Sequence, residues 1–245
     1  MNTVNTRFTI PRNIIAVMNG FQSRDETRHT LVGTHFECRR DSVTLVATCG
    51  RRMATYYHEK AVLMPAEHKL VTFTADTTDA LKLLRDVKKP WTVDLNDDGS
   101  KASFSINADL SVCVPNLEKT GKELKFPNWR CVIPTSPILA VSEFLFNPEL
   151  MAPFVVAAKL LAYQNPSMKI VTHQGIGVNS SPFSIWIGTE NFYGVLMPLR
   201  DFAEGRKIPA WCLRQNETPA TPAAPTGETT QPAPVAEAKV YPPIE

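Results

Sequence analysis

One order of predicted elements, a strand, a helix and three further strands, occurs three times between residues 7 and 202. Apolar residues at helical spacing indicate the helices, and runs rich in β-branched and aromatic residues indicate the strands. The three copies share little sequence identity, so the repeat rests on element order. A chain of this kind has to lay three amphipathic helices on largely antiparallel sheet, which predicts an α+β architecture.

The predicted elements of each repeat follow from these patterns. Helices are predicted over residues 11–22, 76–89 and 147–164, each preceded by a strand over 8–10, 69–75 and 140–146. The strands after each helix are predicted over 31–40, 42–48 and 51–59, then 91–96, 101–107 and 110–116, then 168–174, 183–188 and 192–200. In the first helix, one face carries Ile14, Ile15, Val17, Met18 and Phe21.

The second helix has two chemically different faces. With Ala80 on the inner side, Leu83, Leu84 and Val87 lie on the same side, and Lys82, Arg85 and Lys89 lie opposite. Asp76 or Thr77 is the predicted cap. On the sequence alone, the basic stripe is either an ordinary solvated face of an amphipathic helix or a surface that binds a polyanion.

The third helix has a clear start and one irregularity. Asn147 is the predicted cap and Pro148 the first helical residue. Pro153 lies so deep that it is expected to kink the helix or delay its start.

The charge of the chain is uneven. Its net charge is +2, but residues 216–245 are rich in Pro, Ala and Thr and hold four Glu against one Lys, which leaves +5 for the rest. That composition predicts a disordered tail. A moderately basic body suits a polyanionic partner. The final KVYPPIE is either part of a solubilising appendage or a docking peptide.

Several classes of protein are disfavoured. The start has no signal-peptide pattern, and no apolar run is long enough for a membrane span. The five scattered cysteines and five histidines show no metal-ligand spacing, so we expect no metal or cofactor, free thiols and a cytoplasmic location. No nucleophile elbow, phosphate loop or HExxH motif occurs, and Asp97 and Asp98 lie on a hairpin turn, so an enzyme is not expected.

A hairpin over residues 45–57, LVATCGRRMATYY, places two arginines side by side at its turn. Gly50 suits the positive φ that such a turn requires. Arg51 and Arg52 are either ordinary solvated charges or groups aimed at a partner.

Three segments resemble the bacterial DNA polymerase III β subunit, the sliding clamp. LVATCGRRMA is similar to that family's ATDGxRLA turn, FPNWRCVIP to its FPDYRxVxP connector, and FYGVLMPLR to its VVMPMR ending. The three occur in the family's order and match its middle and C-terminal domains, here about residues 7–202.

The resemblance implies the DNA-clamp fold and a non-enzymatic, ring-shaped protein that encircles duplex DNA. Helices line such a ring, and their cations hold the backbone without reading sequence. The loop after the first helix touches DNA in the family. Together these positions nominate Arg12, Arg24, Arg28, His29, Lys82, Arg85, Lys88, Lys89 and Lys159 as DNA-binding residues.

The resemblance also implies a hydrophobic pocket for short peptide motifs of polymerases and the loader. Its walls would come from the turn, the connector and the last strand. The matching positions are Leu31, Thr48, Gly50, Arg51, Arg52, Met53, Pro127, Val132, Val195, Leu196, Met197, Pro198 and Leu199. For Met197, Pro198 and Leu199, an ordinary buried strand end is the alternative.

Three departures from the family stand out. Cys49 replaces the turn's Asp, and His29-Thr30 replaces the aromatic pair of the DNA-touching loop. The chain also holds three modules where a bacterial clamp has six. We therefore predict a two-module domain over 1–118, a connector over 119–135, a half domain over 136–202, an extension over 203–215 and a tail over 216–245.

Rings of the clamp family contain twelve modules, so the resemblance implies that three modules per chain need four chains, a tetrameric ring. An unpaired half domain should also leave an exposed sheet edge or an open apolar face, which favours self-association. The reduced size hints at a phage or plasmid origin. The leading interpretation is a polymerase processivity clamp on DNA. The alternative is a clamp-derived adaptor or inhibitor that binds peptides without encircling DNA.

Overall fold

The computed structural model of the protein describes residues 5–85, 89–120, 125–135, 146–162, 164, 166–173 and 182–199. Its helices are α1 (Arg12–Asn19), α2 (Thr78–Leu83) and α3 (Pro148–Leu161). Its strands are β1 (Thr6–Ile10), β2 (Thr34–Cys38), β3 (Ser42–Thr48), β4 (Arg52–Glu59), β5 (Val71–Ala75), β6 (Trp91–Leu95), β7 (Lys101–Ser105), β8 (Ser111–Pro115), β9 (Met168–Val171), β10 (Phe183–Ile187) and β11 (Thr189–Leu196). Short 3-10 turns occupy Leu117–Lys119 and Trp129–Val132.

The element order confirms the predicted α+β architecture. The first two repeats each show a strand, a helix and three strands, and the third shows its helix and the three strands after it. The strand predicted over 140–146 falls almost wholly on residues outside the described ones. All described residues lie within the unit Met1–Phe202. The predicted extension and tail lie outside the described residues, and the division into domains stays a prediction.

The first two modules complete each other by exchanging their first strands. A four-stranded antiparallel sheet has the order β1-β6-β7-β8, so the first strand of module one lies beside module two. Conversely, β5 of module two pairs with β2 of module one. Each module therefore contributes one strand to its partner's sheet, which ties the two into one domain.

The third module extends the same sheet. The larger sheet has the order β5-β2-β3-β4-β11-β10-β9, because β4 pairs antiparallel with β11 from Arg52↔Leu196 to Tyr56↔Phe192. Seven strands thus run without a break from the second module's β5 through the first module to the third.

The main core lies between the sheets and the helices. It includes Phe36 stacked on Phe73, with ring centroids 4.5 Å apart. Under α3, Phe154 packs edge-on against Phe21 at 4.7 Å. Gly194 is required there, since a Cβ at this position would overlap Cε1 of Phe154.

The three helices lie side by side in the order α2, α1, α3, with neighbours antiparallel. The start of α1 meets the end of α2, because Arg12 donates to the carbonyls of Leu81 (3.1 Å) and Leu84 (3.0 Å). Next to it, the Asn13 amide donates to the carbonyl of Leu160 near the end of α3 (3.3 Å).

The second helix is shorter than the sequence predicts. It ends at Leu83, and Leu84 leaves the helical region with φ −90° and ψ 77°. Leu84 is buried as expected, but Leu83 is 63% exposed, so its predicted place on the inner face is wrong. Leu83 is the last residue of this short helix, and the chain turns at Leu84 before a further helical turn can form. Arg12 supplies donors to the carbonyls of Leu81 and Leu84 at this end. At the other end, the carboxylate of Asp76 accepts from the amide of Thr78 (2.9 Å).

The third helix starts where the sequence predicts, and Pro153 lies inside it. The Asn147 side chain accepts from the amide of Glu149 (2.9 Å), which confirms the cap. Pro153 has no N–H, so the carbonyl of Glu149 loses its helical donor. Arg52 supplies another: its Nη1 donates to that carbonyl (3.1 Å), while Nη2 donates to the carbonyl of Gly20 (3.0 Å).

Within these described ranges, no helix is long and apolar enough to cross a bilayer. In the same part of the chain, no group of three or more His, Cys, Asp or Glu residues is placed to hold a metal ion. Cys38, Cys49, Cys113 and Cys131 are free thiols.

Candidate functional site: a cavity between a hairpin turn, the connector and the last strand

The β3–β4 turn is built around Gly50, whose φ is +84° as the sequence predicts. The Thr48 hydroxyl closes the turn by donating to the carbonyl of Arg52 (2.8 Å) and accepting from the amide of Gly50 (3.0 Å). The side-chain hydrogen bonds of this turn thus come from Thr48, and Cys49 takes part through its backbone groups. The carbonyl of Cys49 accepts from Arg28 (3.1 Å), which ties the turn to the loop after α1.

The two adjacent arginines have different surroundings. Arg52 points inward and joins the end of α1 to α3, as its two carbonyl contacts show. Arg51 is exposed at the turn, and its backbone carbonyl accepts from the amide of Met197 (2.9 Å). Arg51 is therefore the guanidinium available to solvent at this rim.

A second, smaller apolar cluster lies on the sheet face opposite the helices. Val46, Met53 and Val195 are its buried members, and they come from three neighbouring strands, β3, β4 and β11. Phe126, Trp129 and Ile133 of the connector pack against it. The connector residues 125–135 therefore cover part of this face.

Glu37 of β2 anchors the connector. Its carboxylate accepts from the indole of Trp129 (2.8 Å) and from both terminal nitrogens of Arg130 (2.8 and 2.6 Å). Burial opposes ionisation of Glu37, but the hydrogen bonds from Arg130 and Trp129 outweigh it and hold its pKa below the ordinary value. The Arg130 guanidinium also lies 4.1 Å from the centroid of the Trp129 ring.

A histidine beside Glu37 continues this network. The His35 ring stacks on Phe126 with centroids 4.5 Å apart, and its Nδ1 lies 2.9 Å from the Glu118 carboxylate. Burial would raise the pKa of Glu118, but bonds from His35 and Thr74 outweigh burial and lower it. The connector is thus held to β2 by the stacking of Phe126 on His35 and by the buried carboxylate of Glu37, while Glu118 bonds the His35 ring from its other side.

The turn, the connector and the last strand enclose a cavity of about 200 Å³, which we call the rim cavity. Ten of the thirteen residues predicted for a peptide pocket line it: Leu31, Thr48, Gly50, Arg51, Arg52, Met53, Pro127, Val132, Val195 and Met197. Asn128 and Trp129 also line it, although the sequence does not predict them there. The structure therefore brings together segments that are up to 166 positions apart, from Leu31 to Met197.

The other three predicted residues do not line the rim cavity. Leu196 is fully buried in the main core, because successive strand residues face opposite sides and Val195 already faces the cavity. Pro198 and Leu199 follow the end of β11, and Leu199 is exposed. The alternation of side-chain direction along β11 could have excluded Leu196 from the cavity. No sequence signal identifies Glu37 as the residue that orients the Trp129 ring.

A wider groove of about 590 Å³ lies next to the rim cavity on the same sheet face. Trp129 lines both, and Trp186, Tyr193 and Lys169 line the groove only. Ser184 supports its floor, with its hydroxyl 2.7 Å from both His173 Nε2 and the Tyr193 hydroxyl. An aromatic surface with one cation thus extends the apolar cavity.

Four of the predicted DNA-binding residues, Arg12, Lys82, Arg85 and Lys89, are gathered at one end of the helix layer. Arg12 is bound to the α2 carbonyls, and exposed Arg85 donates to the carbonyl of Lys82 (2.8 Å). Lys82 is paired with Asp79 (3.0 Å). Exposed Lys89 precedes β6, whose Trp91 pairs with Ile10 just ahead of Arg12. Lys88 lies outside the described residues.

The remaining predicted cations are placed separately. Lys159 is exposed on α3, but the same surface of that helix shows exposed Val155 and Val156. Arg24, Arg28 and His29 are exposed in the loop after α1, where Arg28 also pairs with Asp25 at 3.4 Å. On α3, the predicted DNA-binding Lys159 therefore lies beside exposed apolar side chains rather than beside other cations.

Comparison with solved structures identifies the fold. The chain is similar to a DNA polymerase sliding clamp from Pseudomonas aeruginosa, with a TM-score of 0.56 and 12% identity over 82% of this chain and 68% of that one. It is similar to the DNA polymerase III subunit beta of the same organism, with a TM-score of 0.55 and 14% identity over 79% and 66%. The DNA polymerase III beta chain of Streptococcus pneumoniae gives a TM-score of 0.56 and 13% identity over 82% and 66%.

These similarities show that the chain has the sliding-clamp fold. The chain spans about two thirds of the length of the clamps it matches. No protein-family model matches the sequence, and no curated protein matches it.

Proposed function

We propose that the protein is a DNA sliding clamp that holds a polymerase on duplex DNA and binds partner peptides in the rim cavity. It has no catalytic role in this proposal and no metal or cofactor. It works in the cytoplasm as a homo-oligomeric ring, with four chains supplying twelve modules. Its partners are double-stranded DNA without regard to sequence, a DNA polymerase and a clamp loader.

The observation that carries the proposal is the rim cavity on a sliding-clamp fold. Its walls are apolar at Met53, Val132 and Val195, and the exposed Arg51 stands at its edge. Its volume of about 200 Å³ is below the range of small-molecule sites, which begins at about 300 Å³. Such a cavity suits one or two apolar side chains of an extended peptide with polar flanks.

Peptide binding is tested with a labelled peptide that carries Leu and Phe anchors, by fluorescence anisotropy. Val132 is exposed on the cavity wall, so Val132→Asp places a charge there without disturbing the core. We expect at least a tenfold loss of affinity. Leu110→Asp, at a similarly exposed position of the β7–β8 turn, is the matched control and should leave affinity unchanged. Equal affinity of the two variants would refute the cavity as the peptide site.

DNA binding is tested separately, because it involves the helix layer. Removing Lys82 and Arg85 together is expected to weaken duplex binding and to reduce the slope of log K against log salt by about one for each phosphate that is no longer neutralised. Replacing exposed Lys60 and Lys69 serves as the control of equal charge. A ring is expected to stay on circular DNA and to leave it after linearisation.

The second candidate function is a peptide-binding adaptor or inhibitor that does not encircle DNA. A specific observation favours it: within the described helices, Arg12 and Lys82 already have protein partners, and α3 presents valines beside Lys159. Peptide binding without retention on circular DNA would select this function. Retention that ends on linearisation would select the clamp.

A further inference from the structure

The first two modules show how this fold completes a module. In each of them, the strand directly after the helix receives the first strand of the other module: β2 receives β5, and β6 receives β1. The helices also meet side by side and antiparallel, with Arg12 of α1 at the end of α2 and Asn19 bonded to Thr78 at its start (3.0 Å). The result has an approximate twofold symmetry within one chain.

Within the described residues, the third module has the same helix and three following strands but no such companion. Its strand after the helix is β9, which ends the seven-stranded sheet. Within the described ranges, β9 pairs with β10 alone, and Met168 and Lys169 are exposed on it. An open strand edge of this kind is a template for pairing with another chain.

Helix α3 is also uncovered on one flank. Pro153 packs beside Gly20 of α1, and the carbonyl of Leu160 accepts from Asn13, so these residues mark the flank facing α1. Consecutive helical residues are about 100° apart, which puts Val155 about 160° from Pro153. Val155 thus lies on the flank away from α1, and it is 40% exposed.

We propose that the third modules of two copies pair around a twofold axis and complete each other as modules one and two do within a chain. The proposal deepens the self-association in the proposed function and rests on it. By the rule of the first two modules, the contact lies at the β9 edge and at the flank of α3 that carries Val155. The two α3 helices then lie antiparallel.

The partner that covers the β9 edge and the outer flank of α3 is a second copy of this chain, because two third modules can present the same surfaces to each other. The two halves of the observed domain are alike in element order, and two copies of one module can repeat that symmetry with identical surfaces. Val155 lies at the middle of α3, which runs from Pro148 to Leu161. In an antiparallel pair of identical helices, the residue at the middle of the facing flank meets its own copy.

This geometry is tested with adjacent cysteines. Val155→Cys is expected to form an intermolecular disulfide on mild oxidation, visible as a dimer on a non-reducing gel and removed by reductant. Val156→Cys is the matched control, because Val156 is at least as accessible, with 48% exposure, but lies about 100° around the helix from Val155. The unsubstituted chain is a second control, because it shows any intermolecular disulfide that forms through the native exposed Cys113 and Cys131. Equal crosslinking of both variants would overturn the proposed geometry.

Light scattering gives an independent readout. We expect the full chain to be at least dimeric at about 20 micromolar, and Val155→Glu to shift it toward half that mass, with Val156→Glu causing a much smaller shift. A monomeric full chain would overturn the inference, including the case in which the chain covers its own β9 edge. Peptide affinity, measured on the unsubstituted chain, separates the two ideas: a full chain that is monomeric but still binds the peptide refutes the pairing and leaves the rim cavity intact.

Discussion

Replacing Glu37 by glutamine isolates the contact that holds the connector over the sheet. The glutamine has the same shape, but its amide nitrogen would face the donors of Arg130, and its oxygen carries no charge. One of the three bonds to Trp129 and Arg130 is therefore removed, and the others no longer have charge assistance.

The cost follows from the burial of the two partners. Removing one member of a fully buried ion pair costs about 3–5 kcal/mol, whereas an exposed pair contributes about 0–1 kcal/mol. The side chain of Glu37 is 8% exposed but that of Arg130 is 52% exposed, so Arg130 can be rehydrated. An intermediate loss of about 2 kcal/mol is expected, which corresponds to a fall in Tm of about 4–8 °C for a domain of this size.

The same loss should weaken peptide binding if the docked connector forms the cavity wall. About 2 kcal/mol changes the ratio of docked to undocked connector by about 30-fold, which is the ceiling for the loss of apparent affinity. We expect about tenfold by fluorescence anisotropy, with Tm followed by circular dichroism. Asp94→Asn is the matched control, because it removes the charged partner of Arg7 on the other sheet. It should lower Tm by a few degrees and leave peptide affinity unchanged. A Glu37→Gln variant with the expected loss of Tm but peptide affinity within twofold of wild type would refute this reasoning.

Three further outcomes are expected. Because the pKa of Glu37 is lowered in the folded protein, its stabilisation is present above about pH 4.5 and is lost as the pH falls below it, so Tm should fall more steeply between about pH 5 and 3 in wild type than in Glu37→Gln. Parallel curves would contradict this. Gly194→Ala should cost about 1–3 kcal/mol in urea denaturation, since the new methyl group overlaps Phe154; an unchanged midpoint would contradict it. Arg52→Met should cost about 2 kcal/mol, and about 1 kcal/mol less in a Pro153→Ala background, where the restored amide takes over one carbonyl. Strictly additive effects would exclude that exchange of donors.

Much of the fold follows from local patterns. The element order, the glycine turn at Gly50, and the Asn147 cap followed by Pro148 agree with the structure. Each depends on residues within a few positions of one another, and backbone preferences act over that distance. The exception is α2, where the helical spacing continues beyond the residue at which the backbone leaves the helix.

The candidate site follows from the sequence only in part. The resemblance places the three segments that meet at the rim cavity, but not the direction of each side chain within them. It assigns Leu196 to the cavity, although the period of two turns this residue into the core. It does not assign Trp129, because the orientation of that ring depends on Glu37, which is 92 positions away in sequence.

By itself, the sequence determined a chain of repeated strand-helix-strand modules with a glycine turn, because periodicity and capping depend on neighbouring residues. The tertiary structure decided which strands the modules exchange, which of the two adjacent arginines bonds to α1 and α3 and which faces solvent, and where the connector docks. Those outcomes depend on pairing between distant segments. The pairing of β4 with β11 and the bonds from Arg52 to α1 and α3 are set by the packing of the whole domain.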